Sequence, residues 1–299
     1  MMKIKNMLIQ SKAFPPISYL NKEAYKKARL KDLLSTDFYT NKKSILELKV
    51  ESVVEYLTEH AIRDVTVGFS GGADSTLVLL LLVLASHEID LKIHAVTIIP
   101  EDKSLTSFEP ETALEILKHR MFKYVNTLTL THSVSNIFED SFKGYHVNEH
   151  TKHQAYYQTM YSLLFTHSQI VGGLTVGTTN LDELSYVGWF GKNSDMVVDL
   201  QIISDMHKFE VAAILNLFKI KIPKAPTGDI PGGITDEEYF GIDYDSLSYH
   251  SYCKCNNLDS NLDLPLIEKL HSQNYHKYLG QTFNPIFLVD TKRFFIYKV

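Results

Sequence analysis

The sequence predicts an α/β fold in which a parallel sheet is covered by helices on both faces. Three observations carry this expectation. Short runs rich in β-branched residues alternate with longer apolar segments at helical spacing, two of the runs lead into glycine turns, and 44% of the 299 residues are hydrophobic, which allows one substantial core. Residues 1–43 are mixed, with Lys-rich patches and Pro15-Pro16, and read as an N-terminal extension ahead of a single domain over residues 44–299.

In chain order, Ile45, Leu46, Leu48, Val53, Val54 and Leu57 recur at three- and four-residue spacing and predict a helix from Ser44 to near His60. Val65–Phe69 reads as a short buried strand, Ser70-Gly71-Gly72 as a turn, and an apolar helix follows from near Asp74. The alternation continues with a strand at Ile93–Ile99, a helix at Pro110–His119, a strand at Val125–Leu130 and a short helix at Ser133–Phe142. A long helix is expected over His150–His167, and Gly173–Gly177 brings a further strand to a further glycine turn. Residues 181–201 read as loop-rich, Lys208–Phe218 as a helix, and Pro223–Gly233, with three prolines and three glycines, as irregular. In a sheet of this kind ligands gather at the carboxyl ends of the strands, so the site is expected where the glycine turns meet.

Composition excludes several classes. Lys and Arg number 30 against 35 Asp and Glu, a net charge of -5, so no polyanion-binding surface is expected and nucleic acid is not a predicted partner. The opening MMKIKNMLIQSKAFPP has no sustained apolar stretch, so no export signal is expected. The apolar run Leu77–Ala85 falls well short of the ~20 residues a membrane span needs. The two cysteines, Cys253 and Cys255, are poorly spaced for a disulfide and suit a reducing cytoplasm. His250 and His271 lie nearby, but the segment has no second ligand pair at zinc-finger spacing.

Most of the chemical information sits in Gly68-Phe69-Ser70-Gly71-Gly72-Ala73-Asp74-Ser75-Thr76. Adjacent glycines let the backbone approach an anion, the N–H groups of the following helix converge there, and Ser70 and Ser75 add hydroxyl donors. The segment lacks the Lys-Ser or Lys-Thr of a Walker A loop and the GxGxxG of dinucleotide folds. A carboxylate such as Asp74 beside a phosphate cradle makes sense if a cation lies between them, or if it only caps the helix.

The pattern SGGxDS resembles the pyrophosphate loop of the ATP pyrophosphatase superfamily. Downstream, Gly177-Thr178-Thr179-Asn180-Leu181-Asp182-Glu183, Gly188-Trp189-Phe190-Gly191-Lys192, Asp199-Leu200, Lys208-Phe209-Glu210-Val211 and Lys224-Ala225-Pro226-Thr227-Gly228-Asp229 follow in the order of the ammonia-dependent NAD synthetases. Thr235–Glu238, Gly241–Asp245 and His276-Lys277 extend the resemblance, which covers roughly residues 44–287. It implies a Rossmann-like, adenine nucleotide alpha hydrolase-like fold. It also implies a ligase that adenylates the nicotinate carboxylate of deamido-NAD with ATP and amidates it with ammonia, releasing AMP and pyrophosphate.

Carried over to this chain, the resemblance implies that Gly68, Ser70, Gly71, Gly72, Asp74, Ser75, Thr178, Lys208 and Thr227 bind ATP. Asp74 and Glu183 would hold magnesium, and Lys192, Asp199, His276 and Lys277 would hold deamido-NAD. Taken singly, Lys192 and Lys208 read as solvated surface lysines, Asp199 as a turn or strand-end residue and His276 as a helix-end histidine; their joint order gives them their roles. No side-chain nucleophile is expected, because positioning and charge stabilisation suffice for adenylation. The resemblance further implies a homodimer with the dinucleotide partly across its interface. Ammonia is expected from solution, since the chain has no room for a fused glutaminase and no cysteine before residue 253.

The chain departs from the family at one place. Where members carry a Lys-Ala-Arg-x-Arg-Met-like helix, this sequence reads Lys152-His153-Gln154-Ala155-Tyr156, which puts Gln154 at the arginine that contacts substrate. Glutamine hydrogen-bonds but cannot pair with a phosphate charge. The alternatives to deamido-NAD are therefore a different carboxylate or nucleobase amidated by the same chemistry, or a nucleotide-binding homologue without catalysis.

Overall fold

The computed structural model describes residues 22–34, 44–101, 110–132, 143–191, 193–222, 234–255 and 257–277. Its elements are α1 (Lys22–Leu34), α2 (Ile45–Glu59), β1 (Asp64–Gly68), α3 (Ala73–Ala85), β2 (Lys92–Pro100), α4 (Pro110–Leu117), β3 (Asn126–His132) and α5 (Glu149–Val171). There follow β4 (Leu174–Gly177), α6 (Leu181–Leu184), β5 (Leu200–Gln201), α7 (Lys208–Leu217), α8 (Asp236–Phe240), α9 (Tyr244–Cys255) and α10 (Pro265–Asn274). The five strands form one sheet in the order β3-β2-β1-β4-β5, and every pairing is parallel.

Residue alternation along the strands shows why both faces need cover. Val65 and Val67 of β1 join Ile93 and Ala95 of β2 in the larger core, with α2, α3 and α7. The alternate residues Val96 and Ile98 belong to a second core with Tyr161 and Leu164 of α5, and Thr66 turns to the same side, its Oγ1 3.0 Å from His167 Nδ1. Period two along a strand and a helix on each side together make the doubly covered sheet. Helix α3 is buried from Ser75 through Val83 and again at Ala85, lying between the sheet and α2 and α7. Each such leucine removed from water contributes about 1.5–3 kcal/mol.

Local signals set the helix ends. Ser44 caps α2 in a reciprocal box with Glu47, and Asn148 caps α5, whose last turn closes on Gly172 in the left-handed region. The stretch 181–201, expected to be loop-rich, holds the single turn α6 and the two-residue strand β5. Asn180 and Glu183 build a capping box for α6, and β5 is too short to show a period. The segments Ser133–Phe142 and Pro223–Gly233 lie outside the described residues. Among those described, no helix is long and apolar enough to cross a membrane.

Within residues 1–43, α1 packs on α7 and α9 of the same chain, with Tyr25, Arg29 and Leu33 buried at four-residue intervals. Arg29 pairs with Glu210 of α7 at 2.9 Å, and both side chains are buried. At the outer edge of α1, Lys22 pairs with Asp243 and Lys26 with Asp245. In the late segment Cys253 is buried and unbridged, His250 bonds Ser260 and Glu268, and His271 stacks on Tyr186.

Candidate active site

The strand order reverses between β1 and β4, which are neighbours in the sheet although β2 and β3 separate them in the chain. Such a reversal opens a crevice at the carboxyl ends, and here both ends are the glycines at 68 and 177. The connection from β1 to α3 turns on Gly71, whose φ of 76° lies in the left-handed region, and a Cβ there would come within 2.8 Å of Ala113 Cα. Only glycine satisfies both conditions. Ser70 Oγ accepts from Gly72 N–H and lies 3.2 Å from Ser75 Oγ, while Gly72 caps α3 with no side-chain bond. The loop and the helix N-terminus thus present backbone amides and hydroxyls at one point, an arrangement that favours an anion.

Beside this cradle the two halves of the chain meet in charge. Lys208, first residue of α7, donates its ammonium to Asp74 Oδ2 in the first turn of α3. Asp74 Oδ1 is buried and has no hydrogen-bond partner among the described residues. Glu183 of α6 belongs to the same group: burial first, and then the nearby Asp74, push its carboxyl well above the ordinary carboxylate range, with Lys208 opposing. For Lys208 burial acts to lower the ammonium, but Asp74 and Glu183 outweigh it and hold the group above its usual value. Asp236 adds a third carboxylate to this field. Its Oδ2 accepts from Tyr244 Oη at 2.7 Å, its Oδ1 is buried without a partner among the described residues, and Lys208 Nζ stands 5.1 Å from the centre of the Tyr244 ring. Burial, then Asp236 and Glu183, push the Tyr244 phenol far up, so it stays protonated as a donor.

Asp74 and Asp236 each keep a buried oxygen of the hard type that divalent cations favour, although among the described residues no group of three or more His, Cys, Asp or Glu side chains is disposed to hold a metal ion. One buried residue sets their framework. Asp182, fully buried between Leu181 and Glu183, accepts from Lys208 N–H at 2.8 Å and from Ser248 Oγ at 2.9 Å, and its Oδ1 lies 2.7 Å from His207 Nδ1. It therefore ties the turn that bears Glu183 to the start of the helix that bears Lys208.

Of the residues expected from the sequence, the structure brings together Gly68, Ser70, Gly71, Gly72, Asp74, Ser75, Glu183 and Lys208, with Thr178 half-buried in the turn after β4. Thr227 and Lys192 lie outside the described residues. Gln154 is exposed on α5, Asp199 accepts from Thr175 N–H at 2.7 Å, and His276 bonds the Gln273 carbonyl on the surface. Lys277 donates to the carbonyls of Gly188 and Phe190 at 3.2 and 2.8 Å, so it secures the loop that runs up to Lys192, and burial lowers its ammonium. Asp182, His207, Asp236 and Tyr244 were not anticipated as site residues. Asp182, Asp236 and Tyr244 stand in the matching stretches Gly177–Glu183, Thr235–Glu238 and Gly241–Asp245, where their signal was present, whereas only partners distant in sequence make His207 significant.

Comparison with known proteins gives a consistent picture. The sequence model of the NAD synthase family matches residues 45–271, well over half of the chain. The NH(3)-dependent NAD(+) synthetase of Alkaliphilus oremlandii is 27% identical over 249 residues, covering 78% of this chain and 94% of that protein. That of Mycoplasmopsis pulmonis is 28% identical over 265 residues, covering 86% and 92%. Among solved structures, the NMN synthetase from Francisella tularensis superposes with a TM-score of 0.66 at 20% identity over 80% of this chain and 97% of that one. The NH3-dependent NAD synthetase from Campylobacter jejuni does so with a TM-score of 0.58 at 19% identity over 78% and 94%. At these identities the two superpositions speak to the fold.

Proposed function

Because the chain belongs to the NAD synthase family, we propose that it is an ammonia-dependent ligase that converts deamido-NAD to NAD at the expense of ATP. The observation that carries this reading is the meeting of the Ser70–Ser75 loop with Asp74, Glu183 and Lys208 at the point where the strand order reverses. In the reaction the nicotinate carboxylate attacks the α phosphorus of ATP, the bond to the bridging oxygen breaks, and pyrophosphate leaves. Ammonia then attacks the acyl carbon of the mixed anhydride, losing a proton as AMP departs with the anhydride oxygen.

The chain contributes position and charge to these steps. The amides at the start of α3, with Ser70 and Ser75, face the leaving pyrophosphate, and Lys208 offsets the charge that accumulates there. A magnesium ion held by Asp74 and Glu183 would add Lewis-acid stabilisation of the phosphates. Gly68, Thr178 and Thr227 complete the ATP positions, while Gln154, Lys192, Asp199, His276 and Lys277 remain the proposed dinucleotide contacts. The same reading takes the protein as a cytoplasmic homodimer.

The test is the purified chain with deamido-NAD, ATP, magnesium and ammonium. NAD, AMP and pyrophosphate are the expected products, and glutamine should not replace ammonium. ADP and phosphate would overturn the reading. A parallel arm with nicotinic acid mononucleotide decides the carboxylate: preferential turnover of the smaller acid would keep the chemistry and change the substrate.

Gln154 gives a second expected result. In place of a charge-assisted bond to a phosphate it offers a neutral amide, a difference of about 1–2 kcal/mol. Gln154→Arg should lower KM for deamido-NAD by about tenfold with that for ATP nearly unchanged, and the gain should shrink as salt is raised. Steady-state kinetics at two ionic strengths check this, and an unchanged KM would remove Gln154 from the dinucleotide contacts.

A further inference from the structure

We propose that helix α1, outside the catalytic domain expected from the sequence, belongs to the active-site scaffold, and that Tyr25 is a positioning residue that acts on Lys208 through His207 and Asp182. The inference rests on the assignment of Lys208 to the ATP site. Tyr25 Oη lies 2.6 Å from His207 Nε2, and His207 Nδ1 lies 2.7 Å from Asp182 Oδ1. Asp182 Oδ2 accepts the backbone N–H of Lys208 at 2.8 Å. All three linking side chains are buried: Tyr25 is 1% exposed, His207 4% and Asp182 0%.

The chemistry of the partners sets the direction of the chain. Asp182 Oδ2 accepts from Lys208 N–H and Ser248 Oγ, and its Oδ1 faces His207 Nδ1 as a further acceptor. In the tautomer with its proton on Nδ1, His207 Nε2 accepts and the Tyr25 hydroxyl is the donor. Without that hydroxyl a buried ring nitrogen loses its partner, and the imidazole is free to rotate or to exchange tautomers. Asp182 then has a less certain donor on one side, while on the other it fixes the first residue of α7. Glu183 follows Asp182 directly, so a displaced Asp182 moves both a carboxylate and the lysine of the site.

Neighbouring bonds point to the same purpose. Glu210 accepts from His207 N–H at 2.8 Å and from Arg29 at 2.9 Å, so α1 holds the first turn of α7 through two buried side chains four residues apart. The ring of Tyr25 is fixed in turn by Tyr252 at 4.8 Å and Phe209 at 6.2 Å between centroids. Phenylalanine retains those contacts and removes only the donor.

A double-mutant cycle on the full chain tests the link. Tyr25→Phe removes the donor, and His207→Asn keeps an N–H for Asp182 but cannot reach Tyr25. Each should lower kcat for AMP formation by about tenfold with KM for deamido-NAD within about twofold, and the double variant should be no slower than either single one. Lys22→Ala, which cuts an outer contact of the same helix, should leave both constants unchanged. Wild-type kcat in Tyr25→Phe, or a hundredfold loss in the double variant, would overturn the proposal. Should Tyr25→Phe not fold, His207→Gln, which keeps an acceptor for Tyr25 but no donor for Asp182, must show the same loss of kcat for the proposal to stand. If the wild-type chain does not convert deamido-NAD, the functional reading fails. The same cycle read on the dissociation constant of magnesium-ATP by calorimetry then decides this inference separately, non-additive weakening supporting it and additive or absent weakening refuting it.

Discussion

Replacing Glu183 with glutamine is expected to abolish turnover while leaving the protein as stable as before, or more so. Burial, and then the nearby Asp74, push its carboxyl well above the ordinary carboxylate range. A raised carboxyl favours the folded state while it is protonated, and that contribution is lost as pH rises through the folded value. Glutamine imitates the protonated form at every pH, so in buffer free of divalent cations the melting temperature of Glu183→Gln should gain on the wild type as pH is raised. Catalysis should behave in the opposite way, because an amide replaces a charged cation ligand: a loss on the order of 10³-fold in kcat is expected. Asp74→Asn should lose turnover to a similar degree, since it also removes the partner of Lys208. Melting curves and single-turnover rates across a magnesium titration check both variants, and near-normal activity in either would remove that residue as a ligand.

Lys208→Met should produce the second large effect. In the wild type this ammonium lies among Asp74, Glu183 and Asp236, and their combined field keeps it charged despite burial. Methionine retains much of the volume and removes the cation. Three carboxylates then share one region without the ammonium that Lys208 supplied, so protons and divalent cations should be taken up more readily than before. Loss of a preorganised donor to a developing charge typically costs on the order of 10²–10³-fold in kcat. KM for ATP should rise while that for the carboxylate substrate changes little. Equal changes in both constants would show that Lys208 acts on the whole site and has no specific role toward the phosphates.

Much of this geometry was readable from residue order, for definite physical reasons. Val65, Val67, Ile93 and Ala95 alternate because one side of each strand meets a helix, and period two survives in the sequence. Gly71 was legible because a left-handed turn beside another backbone leaves room for no other residue. Helix α1 was not, since its buried face consists of Tyr25, Arg29 and Leu33, and the arginine is buried only because Glu210 awaits it far along the chain. Helix α9, with the sequence YDSLSYHSYCKC, likewise shows no clean apolar stripe. Asp182, although inside the matching stretch Gly177–Glu183, and His207 carry no sign of burial in their local sequence. Each is silent in sequence because the partners that make burial tolerable come from α1 and α9.

The adjacency of β1 and β4 also bears on how the molecule assembles. Strands β1, β2 and β3 pair successively through crossovers of ordinary length, whereas Val65 and Leu174, opposite one another in the sheet, lie more than a hundred residues apart in the chain. Closing so long a loop is entropically slow compared with local pairing. The cradle at Ser70–Ser75 can take shape with the first strands, but Glu183 and Lys208 reach Asp74 only after β4 has docked. The charged half of the site is thus completed by the longest-range pairing of the sheet, and its integrity depends on the β1–β4 seam in a way that the loop itself does not.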